Sequence, residues 1–197
     1  MKSFLAGICF LLAFITAGNA LACVHCEDRT QIDCTGDVLP CPDNAPYCKT
    51  SIVYTHYAGL QLSYNVFKNC SENHEKDIYE EGIRGIDYTL KTKTCQKDGC
   101  NAKALSFPPR NTTLNGVKCP TCYVEGAFSC EPEKEPIQCT GDLNMCIYAA
   151  GTARISEDPP FNCSYRGCTN IKDVQQFPHF PGDTFYNIQT LVLTGSI

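Results

Sequence analysis

The chain has 197 residues, sixteen of them cysteine, no tryptophan and a formal net charge of −5 at pH 7. That cysteine density is close to the level of a disulfide scaffold, and the length allows one or two small domains. The acidic balance argues against a nucleic-acid partner, because phosphate binding needs a basic surface.

The chain opens with a leader. Lys2 gives a positive start, residues 4–16 are almost wholly apolar, and Ala17, Gly18, Ala20 and Ala22 follow. This is the pattern of a cleaved secretory signal over residues 1–20. Cleavage after Ala20 or after Ala22 satisfies the small-residue rule, and a cut after Ala20 leaves Leu21 free to start a strand. The apolar run is too short to span a bilayer. Cys9 leaves with the leader, so fifteen of the sixteen cysteines remain. No later segment could cross a membrane, and the tail "NIQTLVLTGSI" is too short for the hydrophobic part of a lipid-anchor signal. A secreted, extracellular protein without a membrane anchor, in an oxidising compartment, is the expectation.

From Cys23 the cysteines run C-x2-C-x7-C-x6-C-x6-C-x21-C. "SIVYTHY" (51–57) and "LQLSYNVF" (60–67) are rich in β-branched and aromatic residues, with Ala58-Gly59 between them as a turn. "NHEKDIYEEGI" reads as an acidic, exposed loop rather than a short helix. The acidic cluster around it, Glu72, Glu75, Asp77, Glu80 and Glu81, lacks the ligand alternation of a calcium loop, so a solvated finger tip is expected. "IDYTLKTKT" (86–94) is a third strand candidate.

The segment "KALSFPPRNTTLNG" has the Pro, Asn, Thr and Gly content of a linker. It carries the sequon Asn111-Thr112-Thr113, a candidate glycosylation site. Asn69-Cys70-Ser71 and Asn162-Cys163-Ser164 fit the same pattern formally; a central cysteine that forms a bond in the folding chain makes a poorer site, and Asn69 is expected to be little occupied.

From Cys119 the cysteines read C-x2-C-x7-C-x8-C-x6-C, and Cys168 follows Cys146 after 21 residues. Cys23, Cys26, Cys34, Cys41, Cys48 and Cys70 therefore match Cys119, Cys122, Cys130, Cys139, Cys146 and Cys168, an internal repeat. The division is domain one over 21–102, a linker over 103–117 and domain two over 118–197. "FYNIQTLVL" (185–193) is the counterpart of the third strand. In the repeat register the two "CTGD" stretches, at Cys34 and Cys139, do not align. Both read as turn chemistry in loops.

Each domain has about eighty residues, too few to rely on a hydrophobic core alone. A CxxC pair can also signal zinc or thiol redox chemistry, but a secreted β-rich chain favours disulfides. No metal and no cofactor is expected. The histidines, His25, His56, His74 and His179, share no spacing with a serine-acid pair or a metal site, so no catalytic residue is assigned and no enzyme is expected.

"LACVHC", "FKNC" and "CQKDGCN" resemble a three-finger domain of the lymphocyte-antigen/urokinase-receptor type. Tandem copies joined by "FPPRNTTLNGVKC" are similar to gamma-type phospholipase A2 inhibitors. "IQCTGDLNMC" and "YRGCT" are especially similar to the sodefrin precursor-like factors, salamander courtship pheromones. The resemblance implies an all-β, disulfide-rich fold of two tandem three-finger domains. It implies the pairs Cys23–Cys48, Cys26–Cys34, Cys41–Cys70 and Cys95–Cys100 in domain one. In domain two it implies Cys119–Cys146, Cys122–Cys130 and Cys139–Cys168. The family's usual fourth pair is absent from domain one, and Thr94 stands where one member belongs. Domain two has no closing pair, so its third finger is expected to be loose or the sequence incomplete.

Fifteen cysteines leave one over. The equal 21-residue gaps assign Cys168 to the hub and leave Cys163 unpaired; a Cys163–Cys168 link is the rival and would strand Cys139. Cys163 follows the polar, proline-bearing "SEDPPFN", so an exposed thiol, a small-thiol adduct or a disulfide-linked dimer is expected. The functional expectation from the resemblance is a secreted, non-enzymatic signal recognised by a receptor. The alternative is an inhibitor that binds a secreted phospholipase A2.

Overall fold

The computed structural model describes residues 20–57, 60–106, 110–154, 159–178 and 185–196. The expected leader, apart from Ala20, lies outside them, as does His179. Domain one holds β1 (Ala22–Asp28), β2 (Asp37–Pro40), β3 (Tyr47–Tyr57), β4 (Leu60–Ser71), β5 (Lys76–Ile83) and β6 (Ile86–Cys95). Domain two holds β7 (Leu114–Cys119), β8 (Cys122–Glu125), β9 (Ile137–Thr140), β10 (Met145–Ala153), β11 (Phe161–Thr169) and β12 (Phe185–Thr194). Two single turns of 3-10 helix, Cys100–Ala102 and Val174–Gln176, complete the described elements.

The strands form one continuous antiparallel sheet in the order β12-β10-β11-β5-β6-β3-β4-β1-β2, with β8 also on β11 and β7–β9 as a separate pair. Each domain has a long central strand. β3 lies between β4 and β6, and β10 lies between β11 and β12. The register puts Cys48 opposite both Cys70 and Cys95. In domain two Cys146 lies opposite Cys168 and Thr194. Thr194 therefore occupies the place that Cys95 holds in domain one. β12 is laddered to β10 along its length, apart from one irregularity between Ala150 and Thr152.

The repeat departs from itself at the first strand. β1 runs unbroken through the Cys23–Cys26 segment, but its counterpart is split into β7 and β8 at Pro120-Thr121. Proline has no N–H for a ladder, so the strand must break there. The Thr121 hydroxyl instead donates to Arg166 O at 3.3 Å.

Of residues 73–83, only 73–75 lie in a loop; the rest are not the exposed acidic loop that their composition implies. Lys76–Ile83 is strand β5, half of the third finger, and Tyr79, Glu81 and Ile83 are all buried. These alternate residues share one face of β5, where Tyr79 packs with Ile171 and Phe177, and Ile83 with Ile147 and Tyr165, all from domain two. The "CTGD" stretches also diverge. Asp37 begins β2, whereas Gly141 takes φ +54° in the turn after β9.

β3 is buried on both faces. On one, Ile52 packs with Val66, Cys34 and the linker residue Leu105. On the other, Val53 packs with Tyr79, Leu90 and Ile171 of domain two. A half-buried hairpin would alternate cleanly; this one does not, because the linker and the second domain cover it.

Candidate functional site: two disulfide hubs, the fingers they hold and the joint between them

In hub one the structure joins Cys23 to Cys48, Cys26 to Cys34, Cys41 to Cys70 and Cys95 to Cys100. The first and third bonds are stacked, with Cys41 Sγ 3.1 Å from Cys23 Sγ, and Ala45 packs beside them. Asn101, 4% exposed, closes the hub. Its Nδ2 donates to Val24 O at 2.9 Å and Lys49 O at 3.3 Å, and its Oδ1 accepts from Val24 N at 2.9 Å. A buried amide that satisfies three backbone groups is held in one orientation.

Lys68 is the second buried tie, with a fully buried side chain. Its Nζ donates to Cys34 O at 2.9 Å and Ala102 O at 3.0 Å, and pairs with Asp33 at 2.6 Å. It thus fixes the Cys26–Cys34 loop and the exit of the domain to β4. Lys91 Nζ then donates to Ser106 O at 2.5 Å, and Leu105 is packed against Ile52 and Val66. The linker is a strap across domain one, not a free tether, and residues 114–117 already belong to β7.

Hub two is simpler. Cys119 joins Cys146, Cys122 joins Cys130 and Cys139 joins Cys168. Cys119, Cys139, Cys146 and Cys168 pack with Leu143, and Asn115 Nδ2 donates to Gly141 O at 3.1 Å and Leu143 O at 3.0 Å. Where domain one has Asn101, the described residues of domain two include an exposed contact, Lys118 N to Ser196 Oγ at 3.3 Å. The hub sulfurs cluster closely, but every one is in a disulfide and cannot act as a thiolate ligand.

Cys163 carries a free thiol, and the expectation that it is exposed is overturned. The residue is 3% exposed, the third of β11, paired with Gly151 on β10 and Glu125 on β8. Burial, then the Glu125 charge, pushes the thiol up to about 11. It is neutral and shielded at pH 7, which disfavours adducts and intermolecular bonds. The described histidines have separate surroundings: His25 Nε2 lies 3.2 Å from Cys70 Sγ, His56 packs on Tyr54, and His74 packs on Tyr47. Asn111 is exposed, and its Oδ1 accepts from Thr113 N at 3.0 Å.

The joint is the feature that sequence reasoning missed. The Arg84-Gly85 turn of finger III in domain one reaches domain two, where Arg84 pairs with Glu133 at 3.0 Å. β5 pairs with β11 through Gly82 opposite Cys168 and Glu81 opposite Thr169. Asn170 extends the ladder: its N–H donates to Glu80 O, its Oδ1 accepts from Glu80 N, and its Nδ2 donates to Ile78 O. Gly167 is needed there, because a Cβ would meet Gly82 O at 2.3 Å. From the linker, Arg110 Nη1 donates to Glu81 O at 3.2 Å and pairs with Asp87 at 3.1 Å.

Inside the joint lies the Glu81 carboxyl, 4% exposed. Its Oε1 accepts from Tyr79 Oη and, at 3.1 Å, from Tyr165 Oη. Burial pushes Glu81 up to about 8, opposed by the Tyr165 hydrogen bond. Desolvation, and for both phenols the Glu81 charge, hold Tyr88 and Tyr165 well above their usual range.

A disulfide hub that fans out β hairpins, present twice, defines a tandem three-finger protein. The family described as u-PAR/Ly-6 domain matches residues 19–103 and 115–190, and the chain belongs to that family. Among its relatives is protein RoBo-1 of Rattus norvegicus, 30% identical over 113 residues, which are 54% of this chain and 45% of that protein. The Bos taurus Ly6/PLAUR domain-containing protein 8 is 25% identical over 178 residues, 87% of this chain and 74% of its own. The Cerrophidion godmani phospholipase A2 inhibitor CgMIP-I is 26% identical over 170 residues, 84% of this chain and 82% of its own. Among the described residues no helix is long and apolar enough to cross a membrane.

Proposed function

We propose that the chain is a secreted, non-enzymatic protein that acts by binding one protein partner with its fingers. The observation that carries this is the architecture itself: two rigid hubs whose long loops are held in a fixed relation. Such a scaffold presents loop residues at low entropic cost, and function in such folds sits on the loops. Finger III of domain one is consumed by the joint, so the presenting elements are the loops of residues 29–36 and 126–136 and the hairpins β3–β4 and β10–β11. In the first reading the partner is a receptor and the protein is an external signal, of the courtship-pheromone kind that the "IQCTGDLNMC" and "YRGCT" motifs resemble.

A second reading, inhibition of a secreted phospholipase A2, is favoured by a specific observation. The Crotalus durissus terrificus phospholipase A2 inhibitor CNF matches 96% of this chain and 82% of its own length at 23% identity. Purified protein titrated against a secreted phospholipase A2 separates the two. Loss of activity at stoichiometric concentration establishes the inhibitor. Unchanged activity, with a receptor-dependent response in recipient tissue, establishes the signal. Neither outcome would remove the binding role from the scaffold. Asn111 is proposed to carry an N-glycan, since the sequon is exposed; a mass shift on glycosidase treatment checks it.

A further inference from the structure

We propose that Glu81 is a proton-operated latch between the two domains, closing the joint when its carboxyl is neutral and loosening it when the carboxyl is charged. The inference goes beyond the binding role and holds whichever partner the fingers take. It stands on placement: one carboxyl sits in the seam where β5 of domain one meets β11 of domain two, opposite Thr169 on one side and Tyr88 on the other.

The groups facing it come from every element around the seam. β5 supplies Tyr79 and β11 supplies Tyr165, both hydrogen-bonded to Oε1. β6 supplies Tyr88, whose ring lies edge-on to Tyr79 at 6.2 Å. Cys163, two residues before Tyr165 on β11, is a neutral thiol. From the linker, Arg110 approaches the Glu81 backbone oxygen and is paired with Asp87 rather than with the Glu81 carboxyl. Glu80 is held above the usual carboxylate range by burial, with Arg110 acting in the opposite direction and Asp142 and Asp87 reinforcing the shift. The described partners of the Glu81 carboxyl are thus phenols, which can donate to it but cannot neutralise its charge. A buried carboxylate with no cation beside it is costly.

The sign follows from linkage. When the joint opens, Glu81 meets water and titrates near 4.5; closed, it holds its proton up to about 8. Below pH 4.5 both forms are neutral and the joint has its full strength. Between 4.5 and about 8 the open form is charged and the closed form is not. The opening constant therefore rises by up to tenfold per pH unit across that window and levels off above it. The window covers the pH of most secreted fluids, so the relation between the two sets of fingers would be set by the medium.

The test is amide hydrogen exchange of β5 and β11 in the full disulfide-bonded chain from pH 5 to 9, corrected for intrinsic exchange. Wild type and Glu81→Gln are compared. The opening constant should climb across the window in the wild type and stay flat in E81Q, which keeps the shape and an acceptor oxygen without the charge. Parallel profiles would overturn the proposal. A carbon-13 titration of the glutamate carboxyls in the wild type needs no variant: one midpoint near 8 supports the latch, and midpoints all between about 3 and 5 refute it.

Discussion

The third finger is built in two ways in the two repeats, and the difference explains the shape of the protein. In domain one it is a hairpin, β5–β6, pinned at its base by Cys95–Cys100 and Asn101. In domain two, among the described residues, β12 stands where β6 stands, and Thr194 occupies the place of Cys95. The complete finger is the one used as a bridge: its outer strand joins β11 and closes one sheet across both domains. Domain two contributes Ile171, Phe177 and Leu193 to the face of β3 and β6 that the bridge leaves open. Each repeat thus supplies something to the other. Among the described residues domain two shows no disulfide beyond Cys168 and gains β5 as a neighbouring strand; domain one gains an apolar cover for Val53 and Leu90.

The hubs sharpen this comparison most. Cys41–Cys70 and Cys139–Cys168 each close a separation of 29 residues, for which chain entropy gives roughly 3–4 kcal/mol. The serine pair at Cys41 and Cys70 should weaken domain one but leave it folded, because three other bonds and Asn101 remain. The serine pair at Cys139 and Cys168 should unfold domain two, which keeps two bonds among the described residues. Denaturant melts of both variants check this, and equal losses would break the asymmetry.

Asn101→Ala is next. It strands Val24 N, Val24 O and Lys49 O inside the hub and should cost about 2–3 kcal/mol. Ser196→Ala, at the exposed contact that stands in its place in domain two, should cost under about 0.5 kcal/mol. Gly167→Ala drives a methyl against Gly82 O and should cost about 1–3 kcal/mol. That loss should appear as faster exchange of β5 and β11 while the hub strands stay protected.

The smallest expected effect concerns Cys163. Native protein should show no thiol titratable at pH 8 over minutes, one after denaturation, and no disulfide-linked dimer in non-reducing intact mass. A fast native reaction would contradict the burial of β11.

The three-finger class was legible because its two signals are local. Cysteine spacing survives in the sequence as a register, and β-branched runs such as 51–57 announce hairpins. The joint was not, for a physical reason. The alternation of Tyr79, Glu81 and Ile83 is a buried strand pattern, but its middle member is a carboxylate, which by default reads as solvated. What covers it is β11, about eighty-five residues away, and no local pattern records that pairing. Cys163 misleads in the same way. Its neighbours "SEDPPFN" are polar, yet β8 and β10 close over the next turn of chain. Lys68 was visible only as part of "FKNC"; that its charge is buried follows from the return of the end of domain one at Ala102.

The central claim is that finger III of domain one welds the repeats into one body. Residual dipolar couplings of backbone amides, collected near pH 6 and fitted separately for strands β1–β6 and β7–β12, test it directly. The fused joint predicts one alignment tensor, equal in magnitude and orientation for both sets. Two tensors of different magnitude or orientation would show domains that move independently, and would contradict the account.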